Sequence, residues 1–167
     1  MKNHFFVSFK LSMHMNMFYY NNNDDQPVEF CGIIFFRHDE DIKLLLFENE
    51  LRYGDFGIKV QGEENHDVVF QKIVSKYFPD NLNDITIDKK HIIYLPKHRY
   101  LIKFQKMNIR LDIKNAKWIS QNIFFKKLLK IRKLALHLRA NEIYSMFNVL
   151  SQDKLVQSFT KRIVRKI

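Results

Sequence analysis

Between Tyr53 and Phe78 the sequence reads YGDFGIKVQGEENHDVVFQKIVSKYF: a strand, a glycine-punctuated acidic loop and a helix in immediate succession. Phe56-Gly57-Ile58-Lys59-Val60 has strand character, and Gly62 with Glu63 and Glu64 breaks it. From His66 the hydrophobic period changes. Val69, Phe70, Ile73, Val74 and Tyr77 recur at intervals of three and four, which draws one apolar stripe along a helix. Lys72, Ser75 and Lys76 fall on another face, and Pro79 ends the helix because proline lacks the N–H and its ring clashes with the preceding turn. A single apolar stripe has to be buried against another layer, so this stretch calls for a sheet to receive the helix.

The flanks supply that sheet. Val28 to Arg37 and Ile42 to Phe47 are rich in β-branched and aromatic residues around the charged turn HDED, and predict a buried β-hairpin. Ile92–Leu95 and Tyr100–Phe104 predict a second strand pair around Pro96-Lys97-His98, and Ile109 to Ile113 a further short strand. Within 123–150 the apolar residues support helix, and Leu155, Phe159, Ile163 and Ile167 beside Lys161, Arg162, Arg165 and Lys166 predict a basic amphipathic helix. Residues 1–27, ending in NNNDDQP, read as an extension and loop. The expected organisation is one α+β domain over 28–150, followed by a cationic helix over 151–167.

Composition narrows the function classes. With 46% hydrophobic residues the chain can bury a core, and its sixteen Phe against four Gly make that core aromatic. A lone Cys31, set in an apolar run, excludes an internal disulfide and a multi-cysteine zinc site and suits a reducing compartment. His4 and His14, ten residues apart without carboxylate or cysteine neighbours, do not make a metal site. No leader-like or membrane-spanning run is evident, which points to a cytoplasmic protein without a membrane partner.

Charge is unevenly spread: residues 1–102 carry twelve Lys/Arg against fifteen Asp/Glu, and residues 103–167 sixteen against three. The cationic block implies a polyanionic partner, because clustered Lys and Arg displace counterions from phosphates. Its candidate RNA contacts are Lys126, Lys127, Lys130, Arg132, Lys133, Arg139, Lys161, Arg162, Arg165 and Lys166.

The spacing in the opening stretch resembles the Nudix box: Gly, five residues, Glu, seven residues, then Arg-Glu-hydrophobic-any-Glu-Glu-any-Gly. Gly57 and Glu63 match, but Gln71, Lys72, Ser75 and Lys76 replace the helix's Arg-Glu and Glu-Glu, and Phe78 replaces the closing Gly. Trp118 and His137-Leu138-Arg139 are similar to later elements of the family, the latter to virus-encoded members. The resemblance implies a Nudix-like α/β/α sandwich with a mixed sheet. In active members, glutamates of the box helix hold Mg²⁺ or Mn²⁺ for hydrolysis of a nucleoside diphosphate linked to another group.

Here two lysines stand at ligand positions, and a unit cation 4 Å from another repels it by roughly 4 kcal/mol at an effective dielectric of about 20. The expectation is therefore a box without a metal cofactor or catalytic residues, with Lys72, Ser75 and Lys76 binding phosphate directly. Tyr53, Phe56, Tyr94 and Tyr100 are the candidate platforms for stacking on a base. This favours a non-catalytic protein that binds RNA or a nucleotide, with the capped 5′ end of an mRNA among its candidate ligands. Two alternatives stay open: a divergent Mg²⁺- or Mn²⁺-dependent pyrophosphohydrolase and a protein-interaction subunit. The first would use Glu63 and Glu64, with Glu48, Glu50, Asp55 and Asp67 near in sequence; the second would dock through its C-terminal helix.

Overall fold

Strand β1 (Phe18–Tyr19) lies at one edge of the sheet, and strand β2 (Phe30–His38) lies near its middle. β2 is apolar on both faces, and such a strand is stable only where both sides of a sheet are covered. It holds that place in the computed structural model, which describes residues 18–19, 26–50, 52–108, 113–124, 126, 134 and 144–152. One edge of β2 runs parallel to a strand at Tyr100–Lys106, with Phe30 opposite Tyr100 and Phe36 opposite Lys106.

The other edge of β2 is divided between two neighbours. Its end, Phe35 to His38, forms the expected hairpin with β3 (Ile42–Asn49), while its beginning, Phe30 to Ile33, pairs with Phe56–Lys59. β4 (Arg52–Gly54) pairs with the far end of β3, and β5 (Phe56–Lys59) follows after the single residue Asp55. The chain over 52–59 thus crosses from β3 to β2 at Asp55 and fills the wedge where those two strands diverge.

Helix α1 (His66–Tyr77) comes next, capped by the Asn65 side chain, which accepts from the Asp67 N–H at 2.9 Å. β6 (Ile92–Leu95) and β7 (Tyr100–Lys106) make the second antiparallel pair around the 3₁₀ turn Pro96–His98, as expected. β8 (Ala116–Ser120) pairs with β3. The sheet runs β1-β6-β7-β2-β3-β4, with β5 on β2 and β8 on β3.

Period-two alternation along β2 assigns each residue to one of two cores. Cys31, Ile33 and Phe35 pack with Val69, Phe70, Ile73 and Val74 of α1. Ile34 and Phe36 pack on the opposite face with Phe124, Met146, Phe147 and Leu150, the last three from the helical residues 144–152. The result is a mixed sheet between helical layers, the predicted α+β sandwich. Among the described residues no helix is long and apolar enough to cross a membrane.

One expectation is corrected, and one strand is added. Phe18 and Tyr19 pair with Tyr94 and Ile93, so the segment read as a bare extension contributes a strand to the sheet edge. Residues Ala116–Ser120 form a further strand that the sequence did not signal, fixed by pairing with β3 and by Arg37, whose guanidinium lies 4.6 Å over the Trp118 ring. The Ser120 hydroxyl then caps a short helical turn, accepting from the Ile123 N–H at 3.3 Å. The strand expected from Ile109, the long helix after Ile123, the terminal basic helix, His4, His14 and His137-Leu138-Arg139 fall wholly or largely outside the described residues.

Lys103 on β7 is fully buried, and its ammonium is the clasp for the loop that returns from α1. It donates to Asp88 Oδ1 at 2.6 Å, to the Phe104 carbonyl at 2.9 Å and to the Lys90 carbonyl, while Gln105 Nε2 reaches Asp88 Oδ2 at 3.3 Å. Burial pulls the Lys103 ammonium below the usual lysine pKa against the opposing pull of Asp88. Burial alone would raise the Asp88 carboxyl, but the hydrogen bonds from Lys103, the Lys90 N–H and Gln105 bring it below the usual carboxylate value.

A carboxyl depressed in the folded state contributes stability that is present above its unfolded value and is lost as pH falls through the folded one. Lys103→Ala, which removes these bonds and leaves a cavity, is expected to cost roughly 2–4 kcal/mol in urea unfolding at neutral pH. It should also flatten the loss of stability below about pH 4; an unchanged acid limb would show that the clasp does not set it.

Candidate functional site

The wedge between β2 and β3 opens on one side into a cleft of about 720 Å³, a volume in the range of small-ligand sites. Its floor is Asp55 and Tyr100, its walls include Phe30, Tyr53 and Tyr77, and its charged groups are Arg52, Lys59 and Lys76 with Glu50. Asp55 is 7% exposed and accepts from the Tyr100 hydroxyl at 2.6 Å, a bond that joins the β4–β5 crossing to the start of β7.

Two glycines make room for this pair. A Cβ on Gly32 would lie 1.5 Å from Asp55 Oδ2, and one on Gly57 would lie 2.2 Å from the Tyr100 hydroxyl. Tyr77 closes the side by donating to the Gly57 carbonyl at 2.9 Å, and Phe30 stacks on Tyr100 with centroids 5.8 Å apart. Burial, reinforced by the Asp55 charge and hydrogen bond, drives the Tyr100 phenol far above the usual tyrosine value, so it remains a proton donor. The neighbouring Cys31 thiol is pushed up to about 12, by burial first and then by Asp55 and Glu64.

Helix α1 divides its polar residues between different environments. Lys76 stands on the cleft wall, its ammonium 5.1 Å from the Tyr77 ring centroid. Lys72 lies one turn earlier, is not among the cleft-lining residues and is bonded to Glu64 at 2.7 Å, so the two lysines stand in different surroundings. Ser75 donates to the Gln71 carbonyl at 3.0 Å, a local bond within the helix. Glu63 is exposed in the turn after Gly62, whose φ of 64° is the left-handed conformation glycine favours.

Of the aromatic candidates, Tyr53 and Tyr100 line the cleft. Phe56 and Tyr94 do not. Phe56 is fully buried, its ring 5.0–5.8 Å from those of Phe35, Phe47, Tyr77 and Phe78, and Tyr94 is buried with its hydroxyl donating to the Pro27 carbonyl at 2.6 Å. Neither presents a face to a ligand. Phe78, which caps the helix with a φ of −133°, fills this aromatic core.

Sequence reasoning did not single out Phe30, Arg52 and Lys59 as site residues, because only the crossing of 52–59 between strands brings them to one opening. The glycine at 32, inside an otherwise bulky strand, was the available signal. Lys126 is exposed, and the remaining predicted RNA contacts lie outside the described residues.

No family model and no curated protein matches the sequence. Solved structures do match the backbone. A Nudix hydrolase from M. smegmatis, RenU, superposes with a TM-score of 0.51 over 78% of this chain and 88% of its own, at 8% identity. The fold is that of the Nudix hydrolases. A C. elegans Ap4A hydrolase covers 72% of this chain and 98% of its own at 13% identity and a TM-score of 0.48. Gly57 lines the cleft and Glu63 does not, and among the described residues no three His, Cys, Asp or Glu side chains converge as metal ligands.

The fit around Asp55 is directly testable. Gly32→Ala is expected to lower stability by roughly 1–3 kcal/mol, the cost of forcing a methyl into a filled core. An unchanged midpoint in denaturant would show that Asp55 is not held where Gly32 makes room for it.

Proposed function

We propose that this chain is a Nudix-fold protein that binds a phosphorylated nucleoside, free or as the 5′ end of an RNA, and does not hydrolyse it. The observation that carries the reading is Lys76: it occupies a box position where active members place a glutamate, and it stands on the cleft wall together with Arg52 and Lys59. Three cations and the aromatic rings of Phe30 and Tyr53 make an opening suited to a phosphate chain with a base attached.

The carboxylates at the box do not fit a divalent cation. Such an ion needs several converging oxygen ligands, whereas Glu64 is taken up by Lys72 at 2.7 Å and Glu63 faces solvent away from the cleft. Binding in this reading uses the protein's own cations in place of the metal. The excess of Lys and Arg after residue 102 adds an electrostatic surface on which an RNA beyond its first nucleotide would lie, with the cap as one form of the 5′ end.

Calorimetric titration with pyrophosphate and nucleoside diphosphates, in the presence of Mg²⁺ and with product analysis of the recovered ligand, tests this. Intact ligand and saturable binding are expected. Lys76→Glu should weaken pyrophosphate binding by about tenfold or more, the loss of one charge-assisted contact, and Lys72→Glu by less than about threefold because its partner is Glu64. Mg²⁺-stimulated cleavage, or equal effects of the two substitutions, would overturn the proposal.

A further inference from the structure

Strands β4 and β5 leave Asp55 toward different partners: β4 lies against β3, β5 lies against β2, and among the described residues no ladder joins β4 to β5. The sheet parts between them, and a cleft set in such a parting is lined from both of its faces. Strands rise about 3.3 Å per residue, so Arg52 and Lys59 stand roughly 10 Å and 13 Å along the chain from Asp55, at the wide end of the parting.

The pleat sends these two cations to opposite faces. Tyr53 packs on the core of Phe124 and Phe147, so its neighbour Arg52 belongs to the face of Phe47, which packs on the α1 side. Lys76, beside Tyr77 at the end of α1, stands on that same side. Lys59 is reversed: Ile58 packs on the α1 side, and Lys59 lies directly opposite Phe30, which packs on the other core. Positive charge in the cleft is thus divided, with Arg52 and Lys76 on one side of the parting and Lys59 on the other. Among the described residues none of the three is paired with a carboxylate. A free nucleoside diphosphate gathers its charge at one end and would leave one group of cations without an anion. A nucleotide in a strand carries phosphate on both its 5′ and its 3′ side, one for each group.

We infer that the cleft takes the terminal nucleotide of an RNA strand, with its 5′ phosphate at Arg52 and Lys76 and its 3′ phosphate at Lys59. The inference rests on the cleft binding a phosphorylated nucleoside, as proposed above. Lys59 is then the contact that separates a strand end from a free nucleotide, and the selection is by the placing of phosphates, whatever the base.

Calorimetric titration of the full chain, without divalent cation, compares adenosine 3′,5′-bisphosphate and the 5′-phosphorylated diadenylate with ADP and ATP. ADP carries as many phosphates as the bisphosphate and ATP one more, in both cases at a single end. The bisphosphate and the dinucleotide are expected to bind about tenfold or more tightly than ADP, the worth of one further charge-assisted contact, and more tightly than ATP. Lys59→Gln should bring the ratio of bisphosphate to ADP affinity within about threefold, with the unfolding midpoint as the check on its fold. A bisphosphate that binds no more tightly than ADP or ATP, with ADP still bound, would overturn the divided site and leave the nucleotide reading standing. A tight bisphosphate beside a dinucleotide no tighter than ADP would overturn the strand end in favour of a small bisphosphate. A ratio unmoved by Lys59→Gln would remove Lys59 as the second contact, and absence of binding by all four ligands would remove both readings.

Discussion

The hydrogen bond from the Tyr100 hydroxyl to Asp55 is the contact on which the architecture around the cleft depends. Asp55 is the residue at which the chain leaves β3 and takes up pairing with β2, and Tyr100 opens β7 on the far side of β2. Their bond passes across the central strand at Gly32, where a Cβ would occupy the carboxylate's place. Gly57 is required for the same reason on the side of the phenol, inside strand β5. A buried carboxylate joined to a tyrosine is costly to assemble and costly to break, because removal of either partner leaves the other without a bond it was buried to make.

Around that pair the fold separates two tasks that the sequence interleaves. The apolar stripe of α1 holds the sheet through Val69, Phe70, Ile73 and Val74, while the end of the same helix delivers Lys76 and Tyr77 to the cleft. Phe78 and Phe56 close the core beside it, their ring centroids 5.0 Å apart. Along β7 Lys103 and Gln105 bond Asp88 and so fasten the loop returning from the helix. A clasp of this kind fixes a long connection by a few buried polar bonds instead of by apolar area.

Much of the fold was legible because its signals are periodic and local. The hairpin of β2 and β3, helix α1 and its stop at Pro79, and the β6–β7 pair around Pro96 all follow from patterns within a dozen residues. Phe18–Tyr19 and Ala116–Ser120 gave no such signal: a two-residue edge strand has no period, and the second strand is defined by its partner β3. At the site, Lys76, Tyr53 and Tyr100 were legible by residue type and position. Lys72 was placed beside Lys76 by helical spacing alone, and its attachment to Glu64 depends on the path of the loop before the helix.

The sequence by itself therefore determined the strand–loop–helix unit, the strand pairs that flank it and the lysines along the helix, since each is written in the spacing of neighbouring residues. Tertiary structure decided which aromatic rings became core and which became walls, and gathered Phe30, Arg52, Lys59 and Asp55 at one opening with Lys76. The reason is the divergence of β2 from β3: a cleft formed where two strands part is a property of their pairing, and residues far apart in the chain share it only once the sheet is assembled.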